Sequence, residues 1–291
     1  MQLLCVHGII AIFAKSQATN IITTMKNRDF KVSILVSTYN WPQALELSIM
    51  SMLRQTVLPD EIVIADDGSG EETKQLITRL QKESCVPIVH VWHPDEGFRR
   101  TEILNKAIAR VTGDYILQVD GDVILARHFV SDHIELAQKN HFVCGSRVKL
   151  EPKITGRIFA SGIFPPHFWE MPLGFMANSF RSRLLRRYMA KRYAREIDHL
   201  RGCNMAFWRE DVIKLNGYNE DLQQWGHEDG EFAFRLHFAG VEKKALKGGG
   251  CVYHLYHPEV SKSNEGRHLE ELEKVKNGKL KWCKNGIDKY L

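Results

Sequence analysis

Pairs of acidic residues are the feature of this sequence with the clearest chemical use. Asp66-Asp67, Asp120-Gly121-Asp122 and Glu228-Asp229 each bring two carboxylates close together along the chain. Two carboxylates one residue apart on an extended backbone point roughly the same way, so one can ligate a divalent cation while the other binds a ribose or a metal-bound water. The short Asp-x-Asp motif also occurs by chance, so its meaning depends on the elements around it.

Alternating apolar strands and amphipathic helices place the first two pairs at strand ends. The hydrophobic pattern predicts strands over 32–37, 61–65, 86–92 and 115–119, and helices over 42–55, 71–83 and 101–111. This order predicts an α/β fold, with a Rossmann-like, mostly parallel sheet and helices on both faces, whose ligands bind beyond the carboxyl ends of the strands. The polar groups at that edge are Thr38-Tyr39-Asn40, Asp66-Asp67 and Asp120-x-Asp122. Solvated loops explain any one of these groups, but they explain all three together less well.

The turn after the first strand excludes two common phosphate-binding loops. Ser37 to Pro42 contains no glycine, so it is not the Gly-rich loop of a dinucleotide-binding domain, and the chain has no Walker A motif. A nucleotide at this edge therefore needs another group to neutralise its pyrophosphate, and a divalent cation held by carboxylates is the obvious substitute. Asp120-Gly121-Asp122 suits that task, because a buried strand is predicted before it and Gly121 leaves room for a ligand.

Composition and charge exclude several classes of protein. The chain has 291 residues, 44% hydrophobic and 26% charged, which excludes a disordered tail, a collagen or a disulfide-stapled miniprotein. The net charge of +5 is too small to indicate nucleic acid as a partner. The six cysteines are scattered without metal-binding or redox spacing and are predicted to be free thiols. No apolar stretch approaches the roughly 20 residues that cross a bilayer, so no membrane span is predicted.

The regular alternation of strands and helices stops near residue 145, where Pro-rich turns, a basic helix and a Gly/aromatic segment follow. We predict an amino-terminal extension over 1–30, a nucleotide-type half over 31–140, an acceptor-type half over 141–260 and a charged tail over 261–291. Met25 is a candidate natural start, which would make residues 1–24 dispensable. The apolar run near the amino terminus lacks the preceding basic residues and cleavage pattern of a secretion signal, so a cytoplasmic location is predicted.

In this order the motifs resemble the inverting nucleotide-diphosphate-sugar glycosyltransferases of family 2, which have the GT-A fold. Val32–Asn40 is similar to their first strand, Ile64–Ser69 to the turn that contacts uridine, and Val119–Asp122 to the metal motif. The resemblance covers nearly everything from Val32 to about His257. It implies a GT-A fold in which the nucleotide-type half binds a nucleotide-sugar.

The second half resembles more particularly the galactosyltransferase-type carboxy-terminal module of animal beta-1,4-galactosyltransferases and bacterial chondroitin-type polymerases. Arg201–Phe207 is similar to the strand that lines the sugar site, Gly217–Glu220 to the turn after it, and Gln224–Asp229 to a W-G-x-E-D signature. Phe98–Asn105 resembles a nucleotide-contacting helix start of pattern F-x-R-x-x-x-L-N. His227 stands where many such proteins have a glycine, so galactose, N-acetylgalactosamine and glucose all stay open as the donor sugar.

The resemblance implies a metal-dependent inverting enzyme that transfers a hexose from a UDP-sugar to a hydroxyl of a surface glycan, such as lipopolysaccharide, capsule or a lipid-linked oligosaccharide. Inversion needs a base on the acceptor side of the sugar to take the proton of the attacking hydroxyl. The resemblance assigns that role to Asp229, with Glu228 binding donor or acceptor hydroxyls and with Trp225 and Gly226 binding the acceptor. Without the resemblance, the acids at 228, 229 and 231 would be explained as a helix start that is favourable to the helix dipole.

The cofactor that the resemblance implies is a divalent metal, with manganese favoured over magnesium. Asp122 and His254 would hold it, because imidazole suits manganese alongside carboxylate and phosphate oxygens, and His257 competes with His254 for the role. The residues expected to bind the nucleotide are Thr38, Tyr39, Asn40, Asp66, Asp67, Phe98, Arg100, Asn105 and Asp120. Two other functions stay open: a sugar-1-phosphate nucleotidyltransferase, although Ser37 to Pro42 lacks its Gly-rich basic loop, and a non-catalytic glycan-binding protein.

Phe180 to Arg195 is predicted to form a cationic amphipathic helix, since it contains seven basic and no acidic residues. Its apolar positions are Phe180, Leu184, Leu185, Tyr188 and Met189, and aromatic residues from Phe164 to Phe175 precede it. Such a helix can lie on an anionic membrane, so peripheral binding to the inner face of the plasma membrane is one expectation. A solvated cationic face, or a track for an anionic polysaccharide, is the alternative.

Overall fold

The computed structural model describes residues 28–164, 180–194, 196–198, 200–223, 226–258 and 265–291. The segment over 1–24 and Trp225 lie outside these residues, as do most of the aromatic residues that precede the basic helix. In the part of the chain that is described, none of the helices is both long and apolar enough to cross a bilayer. The five cysteines in this part are free thiols, as predicted.

Ten strands form two sheets in the described residues. The strands are β1 (Val32–Thr38), β2 (Glu61–Asp66), β3 (Ile88–Trp92), β4 (Tyr115–Asp120), β5 (Val123–Leu125), β6 (His141–Gly145), β7 (Arg147–Lys149), β8 (Met205–Trp208), β9 (Glu242–Leu246) and β10 (Val252–His254). The larger sheet has the order β3-β2-β1-β4-β8-β6-β9. Its first four strands are parallel, β8 is antiparallel to β4 and β6, and β6 is parallel to β9. The predicted mostly parallel α/β sheet is confirmed, and it runs without a break from the first half of the chain into the second.

Helices cover both faces of this sheet. They are α1 (Pro42–Leu53), α2 (Glu71–Glu83), α3 (Arg100–Arg110), α4 (Phe129–Leu136), α5 (Pro152–Ser161), α6 (Arg183–Arg192), α7 (Arg209–Lys214), α8 (Glu228–Phe238) and α9 (Glu265–Gly278), with 3₁₀ turns at Gly202–Asn204 and Ile287–Tyr290. In β1, Ile34 belongs to the core that includes Leu45 of α1, whereas Leu35 belongs to the core that includes Ile103 of α3. Because successive strand residues point to opposite faces, one strand serves both cores, which explains its uninterrupted apolar sequence.

The smaller sheet carries the residues next to the Asp-x-Asp motif. β10 lies between β5, to which it is antiparallel, and β7, to which it is parallel. The backbone N–H of Leu255 donates to the carbonyl of Asp122 at 2.9 Å, which ties the end of β10 to the residues that follow β4. His254 therefore comes to lie beside Asp122.

The predicted cationic helix is present as α6, but one of its charges is internal. Arg186 is only 1% exposed and donates to the carbonyl of Gly248. It also pairs with Asp132 at 3.1 Å and Glu135 at 2.7 Å, both on α4. Arg186 therefore adds no charge to the exposed surface of this helix, because two acids from an earlier part of the sequence hold it in the interior. Arg195, the last residue of the predicted segment, lies outside the described residues.

Phe164 was grouped with the aromatic residues expected at a membrane surface, but its side chain is buried. Its side chain is buried with Ile158 and Tyr253, and the guanidinium of Arg54 lies 5.0 Å from its ring. This aromatic residue belongs to the core under α5, and it is not on a lipid-facing surface.

Residues that the sequence suggested as a charged tail take part in the fold. The ring nitrogens of buried His268 on α9 bond the carbonyls of Gly226 and Gln223. Ile287, near the end of the chain, is buried in the core that also contains Tyr218. The bonds from His268 hold Gln223 and Gly226, shortly before α8.

Candidate active site

The carboxyl ends of β1, β2 and β4 open into a cleft of about 650 Å³. The small sheet, the 3₁₀ turn at Gly202–Asn204 and the start of α8 form its other walls. Of the residues predicted from the sequence, those that line it are Thr38, Tyr39, Asp67, Phe98, Arg100, Asp120, Asp122, Glu228, Asp229, His254 and His257. The cleft thus brings together acidic groups that are more than a hundred residues apart in the sequence.

Arg100 joins the two acidic pairs across this cleft. Its guanidinium lies 2.9 Å from Asp120, 3.1 Å from Glu228 and 3.3 Å from Asp229. Burial alone would lower the pKa of Arg100, but the three carboxylates outweigh burial and hold the pKa well above its usual value. Arg100 therefore stays charged and fixes the distance between the end of β4 and the start of α8.

Asp229 has the environment of a base that works near neutral pH. It lies in the first turn of α8, which begins after His227 in a left-handed conformation with φ of 61°. Burial raises the pKa of Asp229, Arg100 lowers it, and the charges of Glu228 and Asp120 raise it again, with a result of about 6. Such a carboxylate is ionised at pH 7 and is a stronger proton acceptor than an exposed aspartate.

Asp122, His254 and His257 form a cluster suited to a divalent cation. One ligand atom of each lies within 4.8 Å of the others, and Nε2 of His254 and of His257 lie 3.6 and 3.2 Å from the same oxygen of Asp122. Both Nδ1 atoms bond backbone carbonyls, at Leu255 and Pro258. Only a protonated Nδ1 can donate to a carbonyl, so in the neutral ring Nε2 keeps its lone pair towards Asp122.

Two further properties of this cluster fit a bound cation. The Oδ1 atom of Asp122 is buried and bonds no partner among the described residues. Burial would raise the pKa of Asp122, but the hydrogen bond that protonated His257 donates and the charge of both protonated histidines outweigh burial and hold the pKa below its usual value. The hydrogen bond to Asp122 in turn raises the pKa of His257. The donor set therefore suits a divalent cation, and both histidines are placed to contribute.

An aromatic ring and a carboxylate line the cleft beyond the ends of β1 and β2. Tyr39 is half exposed, and its hydroxyl donates to Asp95 at 2.9 Å. Asp67 is fixed by Nε2 of His93 at 2.7 Å and by the backbone N–H of Arg99 at 2.9 Å. An exposed ring face beside a fixed acceptor is an arrangement that can stack on and hydrogen-bond a base.

Four predicted binding residues do not line the cleft and instead support it. Asp66 is fully buried and accepts from the backbone of Ser69, while the Asn40 side chain accepts from the N–H of Gly70. Asn105 is fully buried on α3, where it faces the core. Gly226 contributes its carbonyl to His268, and Trp225 lies outside the described residues. The resemblance located these motifs, but the structure places the side chains of Asp66 and Asn105 in the buried framework behind the cleft, while Asn40 is exposed and holds the backbone at Gly70.

Several residues of the cleft have no prediction from the sequence. These residues are Arg147, Lys149 and Tyr256. Arg201 and Cys203 also line the cleft, and they belong to the segment that resembles the strand lining the sugar site. The alternation of Arg147, Val148 and Lys149 could have indicated the two cations, because alternate residues of a strand share a face and Val148 makes the other face apolar. The strand itself was too short to be recognised.

Two family models match this chain. Residues 33–215 match the model described as Glycosyl transferase family 2. The chain belongs to glycosyltransferase family 2. Residues 183–258 also match the N-terminal domain of galactosyltransferase, which agrees with the resemblance of the second half.

Curated relatives of this family 2 protein include two chondroitin synthases. That of Pasteurella multocida (strain Pm70) is 28% identical over 258 residues, which cover 82% of this chain and 26% of the synthase. That of Escherichia coli is 25% identical over 251 residues, covering 80% of this chain and 36% of the synthase. The chain therefore spans about a quarter to a third of the length of these relatives.

Solved structures show that the fold is GT-A. Mannosyltransferase PcManGT from Pyrobaculum calidifontis, in complex with GDP-Man and Mn²⁺, superposes with a TM-score of 0.59 at 19% identity, covering 95% of this chain and 74% of that one. S. aureus TarS 1-349 in complex with UDP gives a TM-score of 0.57 at 16% identity, covering 83% of this chain and 64% of that one. The predicted fold and the predicted family are both confirmed.

Proposed function

We propose that this family 2 protein is a metal-dependent, inverting glycosyltransferase that transfers a hexose from a UDP-sugar to a hydroxyl of a surface glycan. Lipopolysaccharide, capsule and lipid-linked oligosaccharide are the acceptor classes. The observation that carries the proposal is that Arg100 holds Asp120 and Asp229 in one cleft, next to the Asp122 cluster. A UDP-sugar and a divalent metal are consistent with the complexes of TarS with UDP and of PcManGT with Mn²⁺.

In this function Asp122 holds the cation with His254, His257 or both. The cation supplies charge neutralisation for the departing diphosphate when it is bound. Asp120 and Ser37, whose side chains lie 3.1 Å apart, face the same end of the cleft and bind the ribose. Asp67 and Tyr39 bind the base, with Thr38 and Phe98 completing this wall.

Asp229 acts as the base in the proposed reaction. It takes the proton of the acceptor hydroxyl while that oxygen attacks the anomeric carbon from the side opposite the diphosphate, so the configuration inverts. Glu228 binds sugar hydroxyls and is itself fixed by Arg100 and by the backbone N–H of Gly226 at 3.0 Å. A single base on the acceptor side is what direct displacement requires.

The proposal is tested by offering UDP-galactose, UDP-N-acetylgalactosamine and UDP-glucose with Mn²⁺ and measuring UDP release. Proton NMR of the transfer product then gives its anomeric configuration. We expect turnover of at least one donor, loss of turnover on adding EDTA, and a β-linked product from the α-linked donor. No turnover of any nucleotide-sugar, or an α-linked product, would contradict the proposed reaction.

We further propose that the surface around α6 binds an anionic membrane. Leu184 is 82% exposed, and it lies one helical turn from exposed Tyr188, with Phe180 exposed just before the helix. Arg183 and Arg187 flank this apolar surface, and both pair with the same acid, Glu135, so the surface keeps an excess of positive charge. Apolar side chains framed by arginine are typical of helices that lie at an anionic interface.

Vesicle flotation tests the membrane proposal. The protein should float with vesicles that contain phosphatidylglycerol and stay behind with phosphatidylcholine alone, and Leu184→Ser should weaken the binding. Leu269→Ser is the control, because this leucine is exposed on α9, outside the α6 surface. Absence of binding to both kinds of vesicle refutes the proposal.

A further inference from the structure

The two oxygens of the Asp229 carboxylate have different surroundings. The guanidinium of Arg100 and the amide of Gln118 each donate to Oδ1 at 3.3 Å, and the hydroxyl oxygen of Tyr218 lies 3.4 Å from it. Oδ2 instead lies against the backbone of Gly202, so close that a Cβ on that glycine would come within 1.6 Å of it. Within the described residues, Oδ2 accepts no hydrogen bond.

Tyr218 and Gln118 act on Oδ1 as a connected pair. The Tyr218 hydroxyl donates to the Gln118 side-chain carbonyl at 2.8 Å, the shortest contact of this group. Because that carbonyl is bound by a donor, the NH₂ end of the Gln118 amide must face Asp229. Burial, with the nearby Asp229 charge, raises the pKa of Tyr218 well above its usual value, so its hydroxyl remains a donor at every working pH.

Both residues are held rigidly. Gln118 is fully buried in β4, the central strand that pairs with β1 and β8. The Tyr218 ring stacks on Phe232 with centroids 4.5 Å apart. The side chain of Asn105 donates to the carbonyl of Tyr218 and accepts from its N–H, both at 2.8 Å. Asn105 thus fixes the Tyr218 backbone from behind the cleft.

We propose that Tyr218 and Gln118 are positioning residues: Tyr218 orients the Gln118 amide, the amide donates to Oδ1 of Asp229, and Oδ2 is thereby the oxygen that receives the acceptor's proton. The inference rests on the proposed function. In the step concerned, the acceptor O–H bond breaks and its proton moves to Oδ2, while the acceptor oxygen bonds the anomeric carbon. The bond between that carbon and the diphosphate breaks, and its electron pair leaves with the diphosphate.

The charge of Asp229 should respond to this pair. The titratable groups around Asp229 are Arg100 on α3, Asp120 on β4, Glu228 on α8, Tyr218 before α8, Cys203 in the 3₁₀ turn and Cys144 on β6. Burial raises the pKa of both thiols above their usual value, so Arg100 is the only cation of this set and the neutral donor Gln118, oriented by Tyr218, matters. A hydrogen bond to the ionised carboxylate lowers its pKa, so removing the donor raises it.

Tyr218→Phe is the direct test, because phenylalanine keeps the stacked ring and removes only the hydroxyl. We expect the acidic limb of the kcat/KM profile for UDP-sugar hydrolysis with Mn²⁺ to move up by about 0.3–1 pH unit, and kcat to fall about three- to tenfold. Gln118→Glu keeps the size of the side chain and replaces the donor with a carboxylate, so it should move the limb further in the same direction.

Tyr115→Phe is the matched control. Tyr115 is also a fully buried tyrosine, on the same strand as Gln118, and its hydroxyl has no partner among the described residues. Its removal should leave the pH profile unchanged. If the profiles of Tyr218→Phe and Tyr115→Phe coincide with that of the unmodified protein, the inference is wrong.

An NMR titration separates this inference from the proposed function. The ¹³C shift of the Asp229 carboxyl, assigned by its loss in Asp229→Asn, reports the same pKa without any turnover. A raised pKa in Tyr218→Phe together with an inactive parent protein would sink the proposed function and keep the hydrogen-bond pair. An active parent protein with an unmoved pKa would sink the pair alone.

Discussion

Replacing Arg100 with methionine should move the pH dependence of the reaction more than any other single change. Coulomb's law with an effective dielectric constant of about 20 gives about 5 kcal/mol for unit charges at the 3.3 Å between Arg100 and Asp229. This is an upper bound, because water that enters the vacated space screens the remaining acids. A loss of an opposite charge at this distance typically shifts a carboxyl pKa by about 1–3 units.

The sign of the change follows from the role of the base. Asp229 must be ionised to accept a proton, so activity falls as pH drops through its pKa, which is about 6 in the unmodified protein. Arg100→Met raises this pKa to about 7–9, so at pH 7 half or more of the base is protonated. The expected loss at pH 7 is about 2- to 100-fold across this range, with much of the activity regained at pH 9.

Initial rates of UDP release between pH 5 and 9.5 measure this effect. Arg110→Met is the control, because Arg110 is exposed in the last turn of the same helix. Its profile should match that of the unmodified protein. If Arg100→Met loses activity equally at every pH, Arg100 does not act through the charge of Asp229 and the reasoning fails.

Three further predictions address the space, the metal and the stability of the site. Gly202→Ala should abolish transfer and keep the fold, as judged by circular dichroism, because the added methyl needs the space of Asp229 Oδ2. The control Gly156→Ala, whose methyl meets no atom within 4 Å, should be neutral. An active Gly202→Ala enzyme would contradict the geometry. His254→Gln and His257→Gln should each weaken Mn²⁺ binding by about 10- to 100-fold in calorimetric titrations, and unchanged affinity in both would remove the metal site. Arg235→Met should lower the free energy of unfolding by about 3–5 kcal/mol in urea, since this fully buried guanidinium pairs with an acid of its own helix; a change under about 1 kcal/mol would show that the pair is not needed.

The sequence predicted the architecture well where strands are buried on both faces of the sheet. β1 and β4 are buried on both faces, so their apolar runs are unmistakable, and the acids at their carboxyl ends necessarily share an edge. The resemblance then named Arg100, Asp122 and Asp229, which the structure brings into one cleft. What it could not give is the direction of each side chain. Asp66 and Asp67 are neighbours in the sequence, yet one is buried in the framework and the other lines the cleft.

The hydrophobic pattern could not predict contacts between residues that are far apart in the sequence, because it reports only on neighbouring residues. The antiparallel pairing of β8 with β4 brings Gly202 over the end of β4, and nothing in the local sequence around 118 or 202 signals this. Gln118 appears in the sequence as an ordinary strand residue, although its amide reaches Asp229. Likewise, Arg186 looks like a surface charge until the acids of α4 are placed beside it.

Asp229→Asn tests the central claim most directly, by measuring transfer and nucleotide binding on the same variant. We expect kcat to fall by about 10²- to 10⁴-fold, as for loss of a general base, while calorimetry with UDP and Mn²⁺ finds the affinity unchanged. Asp211→Asn, a second acid whose pKa burial raises but which does not line the cleft, should leave transfer intact. An Asp229→Asn enzyme that transfers sugar at the rate of the unmodified protein would contradict the account.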